Sequence, residues 1–138
     1  MGQNLFRRDF SGQDLQGADF RNTILKGVSF AGANLKGADF SSAYLDAADF
    51  TQANLTQAAF CRAYLVGAKF RQANLTAAVL QRAYLMDADF EQAHLLGTDF
   101  THTSLRSARI DSDRLKDCCL SHAILPDGIK PLVMPAGI

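Results

Sequence analysis

The sequence predicts a solenoid of four-sided coils, and three observations predict it. Every fifth residue from Leu5 to Leu125 is large and apolar, with leucine and phenylalanine alternating through most of the run. Two positions before it stands a small residue, alanine without a break from Ala33 to Ala93. Residue types also recur at intervals of twenty, as in Tyr44, Tyr64, Tyr84 and in Asn34, Asn54, Asn74. A helix repeats its apolar face every 3.6 residues and a strand every 2, so neither produces this pattern. A strict short period is the mark of stacked repeats, each burying its apolar face only against its neighbours.

The five-residue unit has a mechanical meaning. One large apolar residue points to the axis, and the small residue beside it leaves room for the neighbouring turn of chain. The other three positions are mostly Asp, Asn, Ser, Thr, Gln, Lys, Arg or Gly and face water. Four quarter-turns close a coil after twenty residues. Leucine then occupies two opposite sides of the coil and phenylalanine the other two.

The stretch Ala33-Asn34-Leu35-Lys36-Gly37-Ala38-Asp39-Phe40-Ser41-Ser42 states the unit twice as Ala-(Asn/Asp)-(Leu/Phe)-X-X. It resembles the motif of the pentapeptide-repeat family, over about nine-tenths of the chain. The resemblance implies an all-β fold, a right-handed quadrilateral β-helix with Leu or Phe and Ala directed inward. With coils about 4.8 Å apart, about six of them make a rod roughly 30 Å long. The long, regular, loop-free members common in cyanobacteria are those it looks most like. The resemblance implies a non-enzymatic structural or protein-interaction module. It also brings an alternative, because some members mimic DNA, bind DNA gyrase and confer quinolone resistance. That role wants a strongly acidic rod, whereas the aspartates preceding Phe are interrupted by Lys69 and Arg109.

Taken in order, the first units are atypical. Gln3, Arg8 and Gln13 hold the small inward position before Ala18. Such side chains fit only on an open terminal coil, where they bend out to water. Thr23 and Val28 are slightly oversized variants in the next coil. From Ala33 to Ala93 the repeat is most regular, with no loop inserted. Gly12, Gly17, Gly27, Gly32, Gly37, Gly67 and Gly97 all fall two residues after a central Leu or Phe. That phase marks a corner where positive φ is useful, as in a type II turn. Past Phe100 the pattern loosens: Ile110 replaces phenylalanine, and Asp113 and Cys118 take the small inward position. The repeat domain is expected over 1–125. Pro126-Asp127-Gly128 signals a turn, and 126–138 reads as an apolar, proline-rich capping tail.

Composition narrows the function. Fourteen Lys and Arg balance fourteen Asp and Glu. A neutral chain does not find its partner mainly by charge, so neither nucleic acid nor a membrane surface is expected. Cys61, Cys118 and Cys119 are an odd number with a vicinal pair, which is no disulfide framework. Reduced thiols, and the absence of a leader before Leu5, lead to the expectation of a cytoplasmic protein.

Candidate chemistry is sparse. Asp9, Asp19, Asp39, Asp49, Asp89 and Asp99 hold the motif's own Asp/Asn position and read as hydrogen-bonded turn residues. A catalytic pair would need two carboxyls in different environments. His102 and His122, twenty apart, should stack on adjacent coils, with no evident third ligand for a metal. His94 stands apart from them and reads as a surface residue. No catalytic, cofactor or metal site is therefore expected. The Gln52, Gln72, Gln92 and Asn34, Asn54, Asn74 columns read as amide ladders. One surface stands out. Tyr44, Tyr64 and Tyr84 should point outward in a column, with Val66 and Met86 on the other half of the same side. Arg62 and Arg82 stand at the adjoining corner, continued by His102. Aromatics, Met and Arg are the residues enriched in protein interfaces. The expected partner is a protein, and the expected state a monomer or a homodimer joined through an end coil or the tail.

Overall fold

In the computed structural model, which describes residues 3–129, each five-residue unit forms one side and one corner of a square coil. We number the sides by their central residues: side 1 carries Leu5, Leu25, Leu45 and onward, side 2 Phe10 onward, side 3 Leu15 onward, side 4 Phe20 onward. Successive coils pair in parallel at an offset of twenty residues, from Asn4–Ile24 to Ser104–Ile124.

The unit's residue preferences follow from where its backbone N–H groups go, since a buried or ladder-forming amide must find a partner. On side 1, Tyr44 N donates to Thr23 O at 2.9 Å, Leu45 N to Tyr64 O at 2.7 Å and Ala47 N to Val66 O at 2.9 Å. Ala48 N closes the corner onto Leu45 O at 2.9 Å. The N–H just after the central residue has no backbone acceptor in this scheme. The motif's Asp or Asn supplies one: Ser41 N donates to Asp39 Oδ1 at 2.9 Å, and Thr56 N to Asn54 Oδ1 at 3.1 Å. The carboxylates before Phe thus serve the turn. Asp19 also binds the Arg21 guanidinium at 2.9 Å, which holds its carboxyl well below the usual range.

Corners place the residue two after the centre at positive φ, as a type II turn requires. Glycine meets this at the seven positions expected from the sequence, but among the described residues fifteen non-glycine residues adopt it too, Ala77 at +58° and Arg82 at +60° included. The closure of the square overrides local preference at those positions.

Inside, Phe10, Phe30, Phe50, Phe70 and Phe90 stack with ring centroids 4.8–5.3 Å apart. The opposite column of Phe20, Phe40 and Phe60 stacks likewise at 5.1 and 4.9 Å. The two columns meet edge to face across the axis, 5.4 Å apart for Phe30 and Phe40, a favoured aromatic geometry. Alanines of the small position fill the space between and are buried throughout Ala33 to Ala93. Two of the buried threonines at that position satisfy their hydroxyls on the coil before: Thr98 Oγ1 donates to Leu75 O at 2.8 Å, and Thr103 Oγ1 to Leu80 O at 2.7 Å, while Thr23 Oγ1 donates to Arg21 O at 3.2 Å on its own coil. Cys118 points its thiol at Leu95 O in the same way, 3.4 Å away, and burial pushes its pKa up to about 12.

Two regions depart from regularity. Gln3, Arg8 and Gln13 are exposed on the first coil, as an open end demands. Near the other end a helical turn, α1 (Ser112–Leu115), replaces one corner without adding residues. This corrects the expectation that Asp113 takes the inward position: Asp113 is exposed. An unpaired carboxylate would be costly beside the buried Leu95. The chain instead turns outward, with the Asp111 side chain capping α1 through Asp113 N at 3.0 Å. Leu115 still reaches the core, and Arg114 Nη1 donates to Ala93 O at 2.8 Å, meeting a carbonyl left by the interrupted ladder. Residues 130–138, most of the expected capping tail, lie outside the described residues.

Candidate protein-interaction site

The ladder of side 1 holds its outward residues in two columns. The one before the central leucine runs Ile24, Tyr44, Tyr64, Tyr84, Ser104, Ile124; the one after runs Phe6, Lys26, Asp46, Val66, Met86, Arg106. Tyr44, Tyr64 and Tyr84 stack outward at 4.8 and 4.9 Å, within 3° of parallel. Tyr84 is 51% exposed, Val66 41% and Met86 44%. The structure therefore brings the five apolar residues expected from the sequence into one strip. It also adds two that the sequence reading missed, Phe6 and Ile124, which are exposed in the same two columns at the strip's ends. Their register at steps of twenty was the available signal. Among the described residues, seven large hydrophobics are exposed, and only Leu96 lies off side 1. Chance exposure would scatter them over four sides.

A side without Asp or Asn before the central residue needs another acceptor for the next N–H. Asp46 supplies it from the preceding coil, taking Val66 N on Oδ1 at 3.0 Å. Its second carboxylate oxygen is not engaged by that bond.

Arg62 and Arg82 stand at the corner between sides 4 and 1, as expected, followed by His102 and His122. With Ala83, Tyr84, His102 and Ser104 they line a shallow groove of about 350 Å³. Neither arginine belongs to an ion pair among the described residues, where the pairs are made by Arg21 and Arg71. His102 and His122 stack at 4.6 Å. Desolvation, then the charges of Arg82 and His122, lower the His102 pKa. Lys26 Nζ lies 6.0 Å from the Tyr44 ring centroid at the other end of the strip.

Elsewhere the side columns are structural. Gln52 Nε2 donates to Gln72 Oε1 at 2.9 Å, and Gln72 Nε2 to Gln92 Oε1 at 3.0 Å, so the glutamine ladder forms. The asparagine ladder forms in part: Asn54 Nδ2 donates to Asn34 Oδ1 at 3.4 Å, and Asn34 Nδ2 to Asp14 Oδ1 at 3.3 Å. Asn74 Oδ1 accepts from Thr76 as Asn54 Oδ1 does from Thr56, but among the described residues no side-chain bond joins Asn74 to Asn54. Burial raises the Cys61 pKa, which makes its thiol a poor nucleophile. Among the described residues no three His, Cys, Asp or Glu gather to hold a metal. No helix there is long and apolar enough to cross a membrane.

These features define a class: a four-sided solenoid with a filled apolar axis and one apolar side. Comparison with known proteins identifies the family. A family model described as a pentapeptide repeat region matches residues 3–80, and one described as pentapeptide repeats in eight copies matches residues 83–125. The chain belongs to the pentapeptide repeat family, and its fold is the right-handed quadrilateral β-helix of that family. No curated protein matches it in sequence. Among solved structures, it is similar to a pentapeptide repeat protein from the Arabidopsis thaliana thylakoid lumen. That likeness has 35% identity, a TM-score of 0.51, and covers 83% of this chain and 72% of that one. It is also similar to a pentapeptide repeat protein from the cyanobacterium Cyanothece 51142, at 22% identity and a TM-score of 0.50, over 92% and 86% of the two chains.

Proposed function

We propose that this protein is a non-catalytic interaction module that presents side 1 to a protein partner. The observation that carries the reading is the confinement of six of the seven exposed large hydrophobics among the described residues to one side of a four-sided rod. Large contiguous apolar patches mark interaction sites, and Tyr44, Tyr64, Tyr84, Val66 and Met86 adjoin one another at the centre of side 1. Arg62 and Arg82 at its edge supply polar anchors of the kind interfaces use. An axis filled with Leu, Phe and Ala leaves the rod's interior no room for a substrate, which supports the non-enzymatic reading. The free thiols support a reducing, cytoplasmic setting.

The test is the double variant Tyr64→Ser with Val66→Ser, assayed for association with its partner protein beside a thermal melt. The reading expects association to be lost with the melt nearly unchanged. Retained association would remove side 1 from consideration.

A further inference from the structure

We propose that the partner of side 1 is a second copy of this chain, paired side by side with both rods pointing the same way. This rests on the reading of side 1 as an interface and names its occupant.

A side of one rod can meet the same side of a second copy in two simple ways. With the twofold axis along the rods, each coil faces its own counterpart at equal height, and the column before the central leucine lies against the column after it. With the axis across the rods, the copies run antiparallel and each column meets itself.

The residues favour the first arrangement. Tyr64 then packs on Val66 of the second copy, and Tyr84 on Met86, so a ring meets an aliphatic chain at both heights. The Tyr44 hydroxyl faces Asp46, whose Oδ1 is already held by Val66 N while its other oxygen is free to accept. At the corners Arg82 comes opposite Asp87. Both are exposed, and neither belongs to an ion pair among the described residues. Each contact occurs twice by symmetry, as an isologous interface requires. No like charges face each other at equal height.

The antiparallel arrangement fails on the same residues. Centred on Tyr64, it sets Arg62 against Arg62, Lys26 against Arg106, and Asp46 onto the Met86 side chain; centred between Tyr64 and Tyr84, it pairs Asp46 with Arg106 but sets Arg62 against Arg82 at both corners. Like charges juxtaposed and a carboxylate covered by a thioether chain both oppose binding.

About five coils of one side give two faces that together bury on the order of 1,000 Å², at the low end for specific association. The dimer is therefore concentration-dependent, and it runs along the rod rather than through an end coil.

Sedimentation equilibrium of the full chain from about 10 μM to about 1 mM tests this. The wild-type chain is expected to dimerise. Arg82→Asp should weaken the dimer about tenfold, replacing two attractions with two repulsions. Arg82→Asp with Asp87→Arg should return it to within about twofold of wild type, because only the parallel pairing joins these positions. Both sites are exposed, and a melt of each variant verifies the fold. A wild-type chain that stays monomeric overturns the proposal. So does a double swap no stronger than the single variant. If the chain is monomeric but Tyr64→Ser with Val66→Ser still abolishes binding to a different protein, self-pairing falls and the interface reading stands. If that binding also survives, both fall.

Discussion

The Phe column of side 2 and the Tyr column of side 1 have almost the same geometry and opposite surroundings. Phe50 and Phe70 stack at 5.1 Å, Tyr44 and Tyr64 at 4.8 Å, both within a few degrees of parallel. Phe50 and Phe70 have no exposed surface, whereas Tyr44 is 40% exposed. The spacing of both columns is set by the backbone ladder, so the stacking itself does not distinguish them. Burial does. A ring sealed in the axis contributes its full transfer free energy, about 1.5–3 kcal/mol, plus its close packing. A ring on the surface contributes a fraction of that and stays open to a partner.

The strongest way to test this contrast is to empty one interior position. Phe50→Ala should cost about 3–5 kcal/mol, because the square cross-section is held by three other sides and cannot collapse onto the void. Gln52→Ala, two residues away on the surface, should cost less than about 0.5 kcal/mol despite its amide ladder. Urea melts of the two variants measure both, and similar midpoints would contradict the inward and outward assignment. The small position gives the next effect. Ala63 is fully buried, and Ala63→Leu should cost about 1–3 kcal/mol by overpacking. Ala18, half-buried near the open end, should tolerate leucine better. Equal melting temperatures for the two leucine variants would show that the axis is looser than its packing indicates.

Corners sharpen the comparison from the other direction. Ala77 is exposed at φ +58°. Left-handed backbone costs a Cβ-bearing residue about 1–2 kcal/mol, and glycine gives back part of that through its greater unfolded-state freedom. Ala77→Gly should therefore raise stability by roughly 0.5–1 kcal/mol, read from chemical denaturation. A loss would mean that the corner is not strained.

The smallest effect is one of pH. The folded state lowers the His102 pKa from its ordinary value of 6.5, first by desolvation and then through Arg82 and His122. Below pH 6.5 the unfolded chain binds more protons at this position than the folded one, so stability falls as pH drops through that value and is full above it. Replacing His102 with Ala should flatten this part of the stability profile. An unchanged slope would assign it to other groups.

Most of this architecture is legible in the order of residues: the period of five sets Leu, Phe and Ala on one inward line, the recurrence at twenty gives four sides to a coil, and the right hand of the helix comes from the family resemblance. The strip was legible for the same reason: residues twenty apart must share a column, and Tyr44, Tyr64 and Tyr84 do. What stayed hidden has physical causes. Leu115 continues the apolar series and masks the break at Asp113, although the Asp111-Ser112-Asp113 run is a helix-capping signal in its own right. Glycine marks only some corners, because the others borrow their positive φ from the closed coil. The role of Asp46 depends on Tyr64 having displaced the usual acceptor one coil later, a relation visible only when two coils are stacked.

On the proposed reading the Phe column builds the rod while the Tyr strip is held out for contact. The most direct measurement is a thermal melt of Tyr64→Ser with Val66→Ser set beside its association. The expected result is a stability change below about 1 kcal/mol, since surface substitutions rarely exceed that, together with loss of association. A stability loss approaching that of Phe50→Ala with association intact would contradict it, and would make the tyrosines a brace for the rod.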